Sequence, residues 1–217
     1  SRTAPFVSKA TGVPLPRLAT QIMLGKTLAE LDPWSMRKTG YVCVKEAVFP
    51  FTKFLGVDPV LGPEMRSTGE VMGVGASFGE ALYKAELGAG DRLPEKGTAF
   101  ISVRDVDKAR AVSVATHLRD QGFNIVATRG TAALLQHAAI PCRVVNKVSE
   151  GRPNVVDMIK NGDVQLVIAT ADESRTQISD ARQIRQTALA QLGVVYYTTI
   201  SGAAAAVEGQ KHAKDVE

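Results

Sequence analysis

Residues 99–131 read AFISVRDVDKARAVSVATHLRDQGFNIVATRGT. An apolar run at 99–103 suits a buried strand, and the longer segment 106–121 suits a helix. A second apolar run, 125–128, follows directly. Strand, helix and strand joined by short turns form a parallel βαβ unit. The alternation continues with a helix expected over 132–138, a strand at 143–146 and a helix over 154–161. A strand at 164–170, a helix over 178–192, a strand at 194–198 and an alanine-rich helix from Gly202 complete it. Five short apolar strands alternating with helices imply an α/β fold: a doubly wound, five-stranded parallel sheet of the Rossmann-like kind. Its length of about 120 residues suits one self-sufficient domain.

Ligands of open α/β sheets bind beyond the carboxyl ends of the strands. Here those ends carry Arg104–Lys108 after the first strand and Thr128-Arg129-Gly130-Thr131 after the second. Asn146-Lys147, Thr170 and Thr198-Thr199 follow the third, fourth and fifth. The turn TRGT, opening a helix, offers backbone N–H groups, two hydroxyls and a helix N-terminus to an anion. Lys108 and Lys147 add point charges. No cysteine or histidine nucleophile stands at any strand end, so the constellation suits binding a phosphate more than reacting with it. Read more plainly, TRGT is a helix N-cap and Lys108 a solvated lysine at a helix start.

The first ninety residues differ. A helix is expected over 15–28, a loop-like tract over 32–40 and a strand over 41–51. The stretch 61–75, LGPEMRSTGEVMGVG, packs four glycines among two acids, a base and two hydroxyls. It reads as a polar turn running into a short strand from Glu70. A helix over 77–87 has Ser77 as N-cap with Glu80 three residues on. The segment 88–97, GAGDRLPEKG, is linker-like. This region has little patterned apolar surface and reads as an α+β edge of a larger domain, so the chain is expected to be a piece of something longer. The expected divisions are 1–90, a linker at 91–97, and 98–217.

A net charge of +4 with acids and bases well mixed gives no basic stripe for nucleic acid. No apolar run reaches the roughly 20 residues of a membrane span, and no leader opens the sequence, so a cytoplasmic protein is expected. Cys43 and Cys142 have no CxxC spacing and read as buried reduced thiols. The three histidines form no metal-ligand pattern, and no metal is expected in this chain.

The segments VKEAVFPFTKF and DPVLGPEMRSTGEVMG, with SRTAPFVSKATGVPL upstream, resemble the end of the second ATP-grasp half of the carbamoyl-phosphate synthase large subunit. The second half, through SVRDVDK, FNIVATRGTA, VVNKVSEGRP and IRQTAL, resembles the methylglyoxal-synthase-like allosteric domain that ends the same subunit. The resemblance covers nearly the whole chain. It implies the C-terminal regulatory portion of a glutamine-hydrolysing ligase that makes carbamoyl phosphate for arginine and pyrimidine synthesis. The complete enzyme would use ATP with Mg or Mn, and ammonia from a small glutaminase subunit. This portion alone would hold no cofactor and be inactive, with the remainder of the large subunit as partner and oligomers forming through the allosteric domain.

The resemblance also assigns residues. Lys108, Thr128, Thr131 and Lys147 match phosphate-binding positions for the effectors UMP and IMP, with Gly130, Asn146 and Thr170 beside them. Where the family often has Asn-Thr-Thr, this chain has Ala169-Thr170-Ala171, and each lost hydrogen bond would cost about 0.5–1.5 kcal/mol. Glu46, Asp58, Thr198 and Thr199 would hold ornithine, two carboxylates pairing with its two ammonium groups. From the residues alone, Glu46 reads equally as the solvent side of a strand and Asp58 as a turn residue. Arg2 matches an arginine near the phosphoryl-transfer centre. The alternative is a free-standing phospho-ligand lyase akin to methylglyoxal synthase, which would need a catalytic carboxylate from Asp105, Asp107 or Asp172.

Overall fold

A computed structural model describes residues 3–36, 40–49, 66–170, 175–191 and 193–213. Its centre is the expected parallel sheet: β3 (Thr98–Ser102), β4 (Asn124–Thr128), β5 (Arg143–Val145), β6 (Leu166–Ala169) and β7 (Val195–Tyr197). The strand order is β5-β4-β3-β6-β7, all parallel. The connections run outward from β3 to one edge, then cross to β6 and continue to the other. The order therefore reverses between β3 and β6, where a crevice opens at the strands' carboxyl ends.

Alternation along the strands feeds two cores. Ala99, Ile101, Ile125, Ala127, Leu166 and Ile168 face α5 (Lys108–Asp120), α6 (Arg129–His137) and α9 (Ile200–Gly209). Phe100, Val126, Val145 and Val167 face α7 (Val155–Lys160) and α8 (Arg175–Ala190). Strands buried on both faces read as continuous apolar runs, and that is why they stood out in the sequence.

The N-terminal region contains α1 (Thr3–Thr11), α2 (Leu15–Met23), α3 (Leu28–Leu31), the antiparallel pair β1 (Val42–Val48) and β2 (Gly69–Gly75), and α4 (Phe78–Ala89). Its own buried apolar cluster is small, formed by Val13, Leu18 and Leu31. The hairpin lies on α4 through glycines. A Cβ at Gly73 would overlap the Ala81 carbonyl oxygen and lie 2.6 Å from Ala85 N. On its other side α4 crosses α9, where a Cβ at Gly209 would come 2.9 Å from the Gly79 carbonyl oxygen.

Several boundaries depart from the sequence reading, each for a local reason. The single helix expected over 15–28 is two. Gly25 takes φ +95°, and Thr27 then caps α3 in a reciprocal box with Glu30. Helix α6 starts at Arg129, not at 132, because Thr128 is the extended N-cap residue. The last helix starts at Ile200, with the Thr199 hydroxyl accepting from Gly202 N. The segment expected as a linker is docked. Its first two residues belong to α4, Leu93 is buried, and Gln210 Nε2 donates to the Pro94 carbonyl at 2.8 Å. Cys43 and Cys142 are free but only half-buried.

Gly73→Ala should lower stability by about 1–3 kcal/mol or more, because backbone and not a flexible side chain stands in the way of the methyl. Gly69→Ala, on the same strand with open space around it, should leave the urea midpoint nearly unchanged. Equal midpoints for the two variants would refute the close hairpin–helix contact.

Candidate functional site

The crevice at the β3/β6 switch is a cavity of about 170 Å³. Ser102, Arg104, Lys108, Thr128, Gly130, Thr131, Lys147 and Thr170 line it, with Asp180, Ala181 and Ile184 contributed by α8. Of the seven residues expected at the nucleotide site, six line this one place: Lys108, Thr128, Gly130, Thr131, Lys147 and Thr170. Asn146 does not line it; its side-chain amide donates to the Pro153 carbonyl at 3.2 Å and ties down the loop after β5.

The hydroxyls are polarised by their partners. Thr131 is buried, and its Oγ1 accepts from Val103 N at 3.3 Å. Thr170 Oγ1 accepts from Arg104 N at 3.0 Å. Thr128 and Ser102 share one hydrogen bond at 3.1 Å. A hydroxyl that accepts from backbone N–H retains its proton, and a hydroxyl pair sharing one bond retains one. Three O–H donors therefore remain for a ligand rich in acceptors. Thr128 makes no side-chain cap bond to α6, so the first-turn N–H groups of that nine-residue helix keep their partial positive charge for the cavity.

The cations are unequal. Arg104 Nε holds Asp107 at 2.7 Å, and Lys108 Nζ holds the exposed Asp105 at 2.7 Å. That lysine, with a smaller contribution from Lys147, keeps the Asp105 carboxyl below the usual range. Lys147 makes no ion pair among the described residues. Asp180 accepts from the Ser149 hydroxyl at 2.7 Å and fastens α8 across the mouth. The carboxylates of Asp105 and Asp107 are thus both engaged by cations, and Asp172 lies outside the described residues.

A second polar cluster lies on the opposite face of the sheet, around Tyr197 at the carboxyl end of β7. Tyr197 donates its hydroxyl to Glu86 at 3.0 Å. Burial, against the opposing effect of that hydrogen bond, pushes the Glu86 carboxyl up to about 7, with Glu46 and Asp91 adding repulsion. Glu46 and Asp91 are also raised, chiefly by burial. Glu46 is half-buried, while its neighbour Lys45 is the exposed residue of β1. Thr198 and Thr199 are exposed, and Thr199 is occupied as the α9 cap. Asp58 and Arg2 lie outside the described residues. No local pattern singles out Glu86, Asp91 or Tyr197, since a helix glutamate and a strand tyrosine acquire meaning only when brought together. Asp180, Ala181 and Ile184 were missed for the same reason.

Residues 110–198 match the MGS-like domain family. Over all 217 residues the chain is 59% identical to the carbamoyl phosphate synthase large chain of Ralstonia nicotianae. By sequence it falls in the C-terminal region of carbamoyl phosphate synthase large chains. It is 56% identical over 207 residues, 95% of its length, to the large chain of Xanthomonas campestris. Over 211 residues, 97% of its length, it is 56% identical to that of Pseudomonas syringae. It spans about a fifth of those relatives, 20%, 19% and 20% in that order. Among the described residues no helix is long and apolar enough to cross a membrane.

The raised Glu86 carboxyl has a stability consequence. The folded state holds this proton up to about pH 7, whereas the unfolded chain releases it near 4.5. Between those values the folded state binds more protons, so stability falls as pH rises. The full difference is on the order of 3 kcal/mol. Glu86→Gln should flatten the decline of the urea midpoint between pH 5 and 8 and leave the variant more stable at pH 8. A wild-type midpoint that does not fall over this range would contradict the assignment.

Proposed function

We propose that this chain is the effector-binding portion of a glutamine-hydrolysing carbamoyl-phosphate synthase, with a nucleotide site at the β3/β6 crevice. The observation that carries the reading is the convergence of Lys147 and the uncapped start of α6 with three hydroxyl donors. Such a set favours a phosphate monoester: charge from one lysine and a helix terminus, geometry from the hydroxyls. UMP and IMP are the proposed ligands. The apolar Ala169, Ala181 and Ile184 leave few polar partners for the rest of the nucleotide on that wall, so binding specificity rests mainly on the phosphate end.

The proposed second effector is ornithine, beside Glu46 at the junction of β1, α4 and β7. Control would be conformational: effector binding biases the seating of α4 between the hairpin and α9, and so biases the phosphorylation site in the rest of the large subunit. Residues 1–90 would close the carbamate-phosphorylating ATP-grasp domain and 98–217 would form the allosteric domain, joined by 91–97. ATP with Mg or Mn, the small glutaminase subunit, self-association through the allosteric domain, a cytoplasmic location and a place in arginine and pyrimidine synthesis belong to the complete enzyme in this reading. Arg2 would stand near its phosphoryl-transfer centre. Among the described residues no group of three or more His, Cys, Asp or Glu is set to hold a metal ion. The phospho-ligand lyase alternative would need a carboxylate free to take a proton, and Asp105 and Asp107 are each paired.

Calorimetric titration with UMP tests the nucleotide site. Saturable binding is expected, and Lys147→Ala should weaken it about ten- to a hundredfold, the range for a hydrogen bond to a charged group. No heat of binding at millimolar UMP, or an affinity indifferent to Lys147, would overturn the reading.

A further inference from the structure

We propose that Glu86 is a cation-holding residue of the amino-acid effector site, where a ligand ammonium settles among Glu46, Glu86 and Asp91 and displaces the Glu86 proton to solvent. The inference rests on the proposal of a diamino-acid effector and names the group that decides its charge.

The three carboxylates come from three elements: Glu46 from β1, Glu86 from α4, and Asp91 from the turn after α4. Glu86 is only 8% exposed. Its Oε1 accepts the Tyr197 hydroxyl, and its Oε2 is buried without any hydrogen-bond partner. A buried carboxylate oxygen left in that state is costly, and native folds seldom retain one without a use. Among the described residues no basic side chain contributes to the shift of any of the three acids. Among the described residues the cations on the neighbouring elements have other partners: Lys45 with Glu70, Lys84 with Glu80, Arg92 with Glu95, Lys211 with Glu208, and the His212 ring with the Ser77 hydroxyl. Tyr197, the remaining titratable group facing Glu86, is a donor to it with its own ionisation strongly opposed by burial.

Among the described residues the cluster therefore has negative charge in excess, with the Glu86 proton as counter-charge. An ammonium matches the cluster in sign and in its need for donors. It carries three N–H donors and can bridge the orphaned Oε2 and the neighbouring carboxylates, and its charge favours the ionised form of Glu86. Binding and deprotonation are then one linked event. The Glu86 proton leaves as H⁺ to buffer, and the Tyr197 hydroxyl stays on Oε1 throughout.

Calorimetry of the full chain with L-ornithine at pH 7, in buffers of low and high ionisation enthalpy, counts the protons. Release of about half a proton per ligand is expected for a group half-protonated at that pH, with affinity rising about tenfold from pH 6 to pH 8. Glu86→Gln should bind without proton release and with a flat pH dependence. L-norvaline, which lacks the side-chain ammonium, should release none. Ornithine binding with no net proton exchange in the wild type, or with the same exchange in Glu86→Gln, would overturn the role of Glu86 and leave the effector reading standing. Absence of ornithine binding between pH 6 and 8 would overturn both.

Discussion

The seating of α4 is the contact on which the rest of this structure depends. One face of the helix receives β2 at Gly73 and Gly75, where there is no room for a side chain. Another face crosses α9, where a Cβ on Gly209 would come 2.9 Å from the Gly79 carbonyl oxygen. Backbone against backbone leaves little tolerance, so α4 transmits position more stiffly than a layer of flexible side chains would. The N-terminal region, whose own buried cluster is three residues, borrows its order from this helix.

The two polar sites share a strand. Tyr196 and Tyr197 are neighbours on β7 and point to opposite faces, as a strand requires. Tyr196 donates to the Ala169 carbonyl, at the wall of the nucleotide crevice, and Tyr197 donates to Glu86 on α4. A shift of β7 at one site is thus felt within one residue of the other. The crevice itself is tuned for anions less by the number of cations than by how its hydroxyls are used. Thr131 and Thr170 accept from backbone N–H and keep their protons for a ligand, and the Ser102–Thr128 pair keeps one between them.

The parallel sheet was legible because its strands are buried on both sides, so apolar runs such as 99–103 and 125–128 needed no periodicity to be seen. Helix starts were less legible. Thr128 and Thr199 both serve as N-caps, and the sequence placed the following helices two or three residues late, because a cap residue looks like loop until its dihedrals are known. Gly25 ended a helix for a similar reason: its positive φ is a property of the folded backbone.

The sequence by itself determined the strand-end chemistry. Thr128, Thr131, Lys147 and Thr170 follow apolar runs, and parallel topology gathers such ends on one edge whatever the details of packing. Only the tertiary structure decided which groups are free. Lys108 and Arg104 are spent on Asp105 and Asp107, Lys147 makes no ion pair among the described residues, and Asn146 serves a loop. It also decided that Glu86, 111 residues from Tyr197 and in appearance an ordinary helix glutamate, becomes a buried acid. Burial and pairing arise from segments distant in sequence, so no local pattern encodes them.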